Sequence, residues 1–238
     1  MEEIHKKINL LRDELHEHNY KYYIDDSPII SDYEFDMKLK ELQKLELQYP
    51  QFHDSNSPTQ RVGGQITKSF ENVPHKFPMY SLSNTYSKKE LIQWEERIKK
   101  IIGDEERISY SCELKFDGAS ISITYENGVL IQALTRGDGI QGDNITSNIK
   151  TIKTIPLKLK GQYPNFFEIR GEIILPLEGF QKMNEERHAK GEPIFSNPRN
   201  TASGSLKMQD SGLVAKRPLM CFLYSIKHDV AKIYSTRW

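Results

Sequence analysis

"CELKFDGASISITYENGVLIQALT", residues 112–135, carries both the fold signal and the chemical signal of this chain. Along it the hydropathy period is two: "ASISITY" and "VLIQALT" read as strands, and the preceding "ISYSCELK", from Ile108, reads as another. Glu126-Asn127-Gly128 between the second and third of these is a tight hairpin turn. The same stretch contains Lys115-x-Asp117-Gly118. By average composition, K-x-D-G arises by chance in about one chain of this length in twenty. Four letters therefore do not separate a nucleophile from a surface charge beside a turn.

Working outward, the period changes. Ile4, Ile8, Leu11 and Leu15 predict a helix over 3–19. Ser31-x-x-Glu34 is a capping box for a second helix, whose face is Phe35, Leu39, Leu42 and Leu45 and which ends at Tyr49-Pro50. "DSNSPTQRVGG", 54–64, reads as linker, and the domain boundary is expected near 66. Ser87-x-x-Glu90 caps a third helix with Leu91, Trp94, Ile98 and Ile101 on one face. "FFEIRGEIIL" and "LMCFLYSI" are strand stretches, with a helix ending at Gly191 between them. Helices mixed with antiparallel hairpins imply an α+β fold: a helical subdomain over 1–66 and a larger domain over 67–238.

Charge is balanced overall, 33 basic against 33 acidic residues, yet unevenly spread. Residues 1–66 hold 8 Lys/Arg and 13 Asp/Glu, leaving 25 and 20 for the rest. A modest basic surface suits phosphate or nucleic acid, and ordinary solvated charge explains the count about as well. No apolar run approaches a membrane span. The two cysteines form no CxxC pair and the histidines no HxxxH pair; His16-x-His18 stands alone, so no protein-built metal site is expected and a reducing cytoplasm is the expected setting.

A free lysine has a pKa near ~10.4, so a nucleophilic Lys115 needs burial or a neighbouring cation to lower it. Arg136, in the glycine-rich "TRGDGIQGDNIT", could supply that cation on a loop suited to phosphate. The loop is neither a Walker A nor a dinucleotide fingerprint. Glu168, Arg170 and Glu172 share one strand face; in isolation a half-solvated strand edge with a salt bridge is the favoured reading. "FSNPRNTASGSLKMQD" reads as loop, with Arg199 a candidate phosphate clamp. Asp32 and Asp36 lie on one helix face beside Phe35, with Tyr22 and Tyr23 just before, a setting for a flat cationic ligand or simply for acids at a helix start.

Together "YYIDDSPIISDYEFD", "SPTQRVGG", "MYSLSN", "CELKFDG", "LTRGDGIQGDNIT", "EIRGEIILP" and "FSNPRNTASGSLK" resemble, in order, the bacterial NAD+-dependent DNA ligases. The resemblance implies a nucleotidyltransferase (adenylation) fold preceded by a helical segment that recognises the nicotinamide mononucleotide (NMN) half of NAD+. It implies that Lys115 becomes AMP-linked; that Glu113, Ser81 and Leu82 surround the adenosine; and that Asp117, Arg136 and Glu172 hold ribose and phosphate. Arg199 matches a motif arginine of the active site or nick surface. Tyr22, Asp32 and Asp36 match the NMN set, with Tyr33, Glu34 and Phe35 of the same run counted with it. Tyr23 stands where many members have histidine, Phe35 where tyrosine is usual, and Lys207 where arginine is common.

NAD+ is then the consumed AMP donor, and Mg2+ or Mn2+ the phosphate-neutralising ion. Zinc belongs to a four-cysteine module that has no counterpart here. Nicked duplex DNA is the implied partner of the complete enzyme, a cytoplasmic monomer. The family's later lysines and its oligonucleotide-binding, helix-hairpin-helix and BRCT modules are not found, so a fragment or a naturally short product is expected. Two rivals stay open: an ATP-using ligase or capping enzyme, and a non-catalytic nucleotide- or NMN-binding module.

Overall fold

The structure, a computed structural model, describes residues 1–23, 25, 27–62, 69–103 and 107–227, without the side chains of Tyr23, Asp32 and Val62. The expected boundary near 66 lies outside the described residues. Helix α1 (Glu2–Tyr23) runs further than its apolar face required, and α2 (Asp32–Gln48) starts at the capping box. Ser31 Oγ accepts from the Glu34 N–H, and the Glu34 carboxylate accepts from the Ser31 N–H at 2.9 Å. Ile8, Leu11, Leu15 and Leu42 are buried between the helices, with Ile4, Phe35, Leu39 and Leu45 packed around them. Burying such a side chain contributes about 1.5–3 kcal/mol, which makes this satellite core the main support of the pair. Arg12 and Glu46 form a buried ion pair across it at 2.7 Å.

The segment expected as linker is instead a docking element. Pro58–Val62 is a 3-10 turn, and Ser57, Pro58 and Arg61 are buried. The Arg61 guanidinium donates to the Ile152 carbonyl at 3.0 Å and the Ile155 carbonyl at 2.7 Å. Those two bonds hold the helical unit to the larger domain. Asp13 pairs with Lys158 at 2.8 Å, Glu17 pairs with Lys160, and Lys150 donates to the Ser55 carbonyl at 2.7 Å. Part of the charge asymmetry in the sequence is thus contact between the two units. Burial, with the charges of Arg61 and Lys158, lowers the His16 pKa to about 4.

The larger domain is built on a four-stranded antiparallel sheet, order β3-β2-β5-β6, of β2 (Ala119–Glu126), β3 (Val129–Thr135), β5 (Phe166–Ile174) and β6 (Met220–Lys227). Asn127 at φ 49° and Gly128 at φ 77° make the β2–β3 turn. One sheet face carries Ile121, Ile123, Tyr125, Phe167 and Ile173 into the core, where Ile145, Ile149, Ile155, Leu157 and Leu206 meet them. The architecture is the mixed helix and antiparallel sheet that the α+β reading expects. A two-stranded ribbon, β1 (Asn72–Pro74) with β4 (Gln141–Asp143), flanks the sheet. Helices α3 (Lys88–Ile102), α4 (Thr146–Ile149), α5 (Leu177–Ala189), α6 (Pro198–Leu206) and α7 (Ser211–Ala215) complete the described elements.

Four expectations are corrected. "ISYSCELK" pairs with no strand among the described residues; both edges of β2 are already taken by β3 and β5, and alternation alone supplies no partner. Within "FSNPRNTASGSLK", Pro198–Leu206 is helical: Asn197 accepts from the Asn200 N–H at 2.7 Å as N-cap, and Pro198 fills the first turn. β5 is an interior strand, not a half-solvated edge, with Glu168 and Arg170 each 4% exposed. The apolar face of α3 packs into no core, since none of its residues is buried; Trp94 touches the Tyr110 ring at 5.8 Å. Its capping is also half a box, with the Glu90 carboxylate accepting from Tyr86 N at 2.9 Å.

A Cβ on Gly118 would come within 2.1 Å of the Ile173 carbonyl oxygen. Gly118→Ala should therefore lower unfolding free energy by about 1–3 kcal/mol, read by urea titration; an unchanged midpoint would contradict the contact. His16 gives a second expectation. Its folded pKa, about 4, lies below the ordinary 6.5, so folding favours the neutral ring. Stability contributed by His16 is present above 6.5 and lost as pH falls through about 4. His16→Gln should flatten the acid limb of a stability–pH curve, and an unaltered limb would remove His16 as its cause.

Candidate active site

The K-x-D-G segment reaches the sheet through two contacts. Phe116 stacks on Phe222 of β6 with centroids 4.1 Å apart and planes 3° from parallel. Gly118, lacking a Cβ, lies against the β5 backbone at Ile173. The close approach that Gly118 allows is thus to a strand of this protein. Between these anchors Asp117 projects into an open cleft of about 980 Å³, at the end of the sheet where β2 starts and β3 and β5 finish.

Arg136 and Gly137 enter the cleft from the loop after β3, Glu172 from β5, and Asn197, Arg199, Ser203 and Lys207 from α6 and its ends. The glycine-rich loop is rigidly specified. Asp138 Oδ1 accepts from the N–H groups of Ile140 and Gln141, both at 2.9 Å, and Arg136 N donates to the Ser120 carbonyl at 3.1 Å. Gly137 has φ 56°, and a Cβ there would meet the Gln141 oxygen at 1.9 Å. Buried His75 braces the loop from below through Nε2 and the Arg136 carbonyl, 3.0 Å apart.

Electrostatically the cleft is cationic around two carboxylates. Arg199 Nη1 lies 3.2 Å from Asp117 Oδ1, and Lys207 pairs with Asp143 at 2.8 Å. Burial pushes the Glu172 carboxyl up; bonds from Ser120 and the Gly118 N–H, then the charges of Lys115 and Arg199, pull it partway back. Lys115 itself is exposed. Behind the cleft, Glu168 accepts from Ser122 at 3.1 Å and pairs with Arg170 at 3.2 Å, and Arg170 donates to the Phe77 carbonyl.

The structure thus gathers Asp117, Arg136, Glu172 and Arg199 on one cleft; Lys115, exposed and one residue before the lining residue Phe116, is not part of its lining. Glu113, Ser81 and Leu82 are exposed and outside its lining. Tyr22, Phe35 and Asp36 line a different cavity, of about 610 Å³, which shares no lining residue with the first. Tyr33 is 73% exposed, the Glu34 carboxylate is occupied by its cap, and the Asp32 side chain lies outside the description. Among the described residues no group of three or more His, Cys, Asp or Glu gathers, and no helix is long and apolar enough to cross a membrane.

Sequence reasoning missed Ser120, Phe116 and Asn197. The first was legible in the hydroxyl row Ser120, Ser122, Thr124 opposite the apolar row of β2, the third in the N-cap pattern Asn-Pro. Phe116 carried no local signal, since its partner Phe222 is far along the chain.

Residues 67–237 match the family described as NAD-dependent DNA ligase adenylation domain. Residues 1–63 match the DNA ligase-like, N-terminal NAD+-binding domain. A protein named DNA ligase from Christiangramia forsetii is 66% identical over 224 residues, 94% of this chain and 33% of the relative. Proteins of the same name from Flavobacterium johnsoniae and Bacteroides fragilis are 63% and 53% identical, over 94% and 95% of this chain and 33% and 34% of theirs. The chain spans about a third of the length of these curated relatives.

The raised Glu172 pKa has a sign that can be checked. An acid penalised in its ionised form destabilises the fold as pH rises from its ordinary value, 4.5, through the raised one. The stability difference between Glu172→Gln and wild type should therefore shift in favour of the glutamine variant from about pH 4 to 7. Parallel pH profiles would show that this carboxyl is not penalised by burial.

Proposed function

This chain belongs to the NAD+-dependent DNA ligase family, comprising its N-terminal and adenylation domains, and on that premise we propose that Lys115 accepts the adenylyl group of NAD+. The observation that carries the proposal is the convergence of Asp117, Arg136, Glu172 and Arg199 on one cleft whose lining begins at Phe116, the residue after Lys115. In the step, the Lys115 amine attacks the adenylyl phosphorus. A P–N bond forms, the phosphoanhydride P–O bond to NMN breaks, NMN leaves with those electrons on its phosphate, and the amine sheds a proton. Glu172 and Asp117 offer acceptors for ribose hydroxyls and for the ammonium, while Arg136 and Arg199 offset charge on the phosphates.

Asp117 and Glu172 are the residues of the cleft that would help hold a Mg2+ ion. The ion would supply further neutralisation of phosphate charge. In the helical unit, Tyr22, Phe35 and Asp36 receive the cationic nicotinamide ring of the leaving half; they share one cavity wall. Transfer of AMP to a 5′-phosphate at a nick in duplex DNA, then sealing by the 3′-hydroxyl in replication and repair, belongs to the whole-length protein, read as a cytoplasmic monomer. The residue ranges 1–66 and 67–238 are our division of the chain into NMN-recognising and adenylation units.

A second reading, nucleotide binding without turnover, is favoured by the exposed Glu113, Ser81 and Leu82, which stand away from the cleft. The two separate by intact mass after incubation with NAD+ and Mg2+. Wild type should gain one adenylyl group, ATP should not replace NAD+, and Lys115→Ala and Lys115→Arg should gain nothing. Binding of AMP without a mass gain supports the second reading, and peptide mapping of AMP to another residue would overturn the role of Lys115.

A further inference from the structure

Opposite Glu172 on the sheet stand Ser120 of β2 and Phe222 of β6. Cross-strand partners share a face, so both side chains flank the carboxyl. The Phe222 ring is stacked on Phe116 and has no donor to give, which leaves the Ser120 hydroxyl as the strand neighbour that can bond Glu172. Further along β6 the pairing steps from Leu223–Gly171 to Ser225–Arg170, so Tyr224 is the extra residue of a β-bulge. Bulges beside active sites re-aim side chains. Here the Tyr224 side chain reaches across β5 to β2, and its hydroxyl lies 3.0 Å from Ser120 Oγ. An ionised carboxylate only accepts hydrogen bonds. The single Ser120 proton therefore goes to Glu172, and a Ser120 lone pair is left to accept from the Tyr224 O–H.

We propose that Ser120 and Tyr224 are positioning residues: a relay of two hydroxyls, from Tyr224 through Ser120 to the Glu172 carboxylate, holds that acceptor in place at the wall of the cleft. The proposal rests on the reading of Glu172 as an acceptor for ribose hydroxyls, and adds to it what holds the carboxylate ready. Burial disfavours the ionised form of Glu172. A donated proton offsets that, and a donor that is itself polarised by a second hydroxyl offsets it further. The Gly118 N–H gives the carboxylate its other bond, from the same end of β2. Tyr224 lies outside the lining of the cleft and acts through Ser120, which lines it. Lys115 and Arg199 act on Glu172 by charge, Asp117 and Arg136 share its cleft, and the Cys221 thiol of β6 interacts with it from the next position along the sheet.

The test is a pH titration of the Glu172 side-chain carboxyl by carbon-13 NMR on the chain 1–238, with the signal assigned by its loss in Glu172→Gln. Ser120→Ala should raise the proton affinity of the carboxyl about three- to tenfold. Tyr224→Phe keeps the ring and removes only the hydroxyl, and should raise it by a smaller factor. The double variant should match Ser120→Ala alone, because Tyr224 has no route to Glu172 without Ser120. Ser120→Thr, which keeps a hydroxyl, should stay near wild type. An unmoved titration in Ser120→Ala, or effects of the two single variants that multiply in the double, would overturn the relay. AMP separates this from the underlying reading. If the variants titrate as expected and AMP leaves the Glu172 signal unmoved, the relay stands and the ribose role of Glu172 fails. If AMP moves the signal and the variants do not titrate as expected, only the relay fails.

Discussion

The β5 backbone at Ile173 comes so close to Gly118 that a single methyl group there would overlap its carbonyl oxygen. Much of the site depends on that contact. It pins the end of the K-x-D-G run to the strand that carries Glu172, and the Phe116–Phe222 stack pins the run again two residues earlier. Asp117 is then aimed into the cleft and Lys115 is left outside the sheet but within electrostatic reach of Glu172. The same strand end meets the start of α6, which brings Arg199 to within 3.2 Å of Asp117. A backbone packing constraint thus sets the distances between charges.

The sheet divides the labour between its faces. One face is aliphatic and aromatic and closes the core; the other is a polar row of Ser122, Glu168 and Arg170 leading to Ser120 and Glu172. Buried charges are tolerated where they are paired and hydrogen-bonded, as Glu168 and Arg170 are. Glu172 is less well compensated, which fits a group whose full set of partners includes a ligand. The helical unit follows a different logic. Its small core is its own, and its attachment is polar, through Arg61, Lys150, Lys158 and Lys160. Tyr22, Phe35 and Asp36 accordingly open on a cavity at that attachment and not on the cleft lined by Asp117 and Glu172.

Much of this was legible in the sequence, wherever the cause was local. The faces of α1 and α2, the Ser31–Glu34 box, the Asn127-Gly128 turn and strands β2, β3, β5 and β6 follow from period, caps and turn residues. What was missed depended on partners distant in sequence. Nothing near residues 54–64 announces that Arg61 will find two carbonyls some ninety residues on. Alternation at 108–115 gave a strand pattern without a neighbour to pair with, and alternation in "FFEIRGEII" could not say that β6 would cover what looked like an edge. The helix at 198–206 was legible in Asn197-Pro198 but obscured by Ser, Asn and Gly, which favour loops as readily as caps. At the site, the candidate residues came from local pattern and from resemblance, and the structure brings Asp117, Arg136, Glu172 and Arg199 together; Ser81, Leu82 and Glu113 remain apart.

The central proposal is that the cleft at the end of the sheet takes the AMP half of NAD+ and the helical unit takes the NMN half. Amide chemical-shift mapping on the isotope-labelled chain tests it most directly. AMP should shift Gly118, Ser120, Gly137 and Ser203 and leave Asn19, Tyr22 and Phe35 in place, and NMN should do the reverse. If both ligands shift the same amides, or if AMP moves α1 and α2 while the cleft stays silent, the account of two seats is wrong.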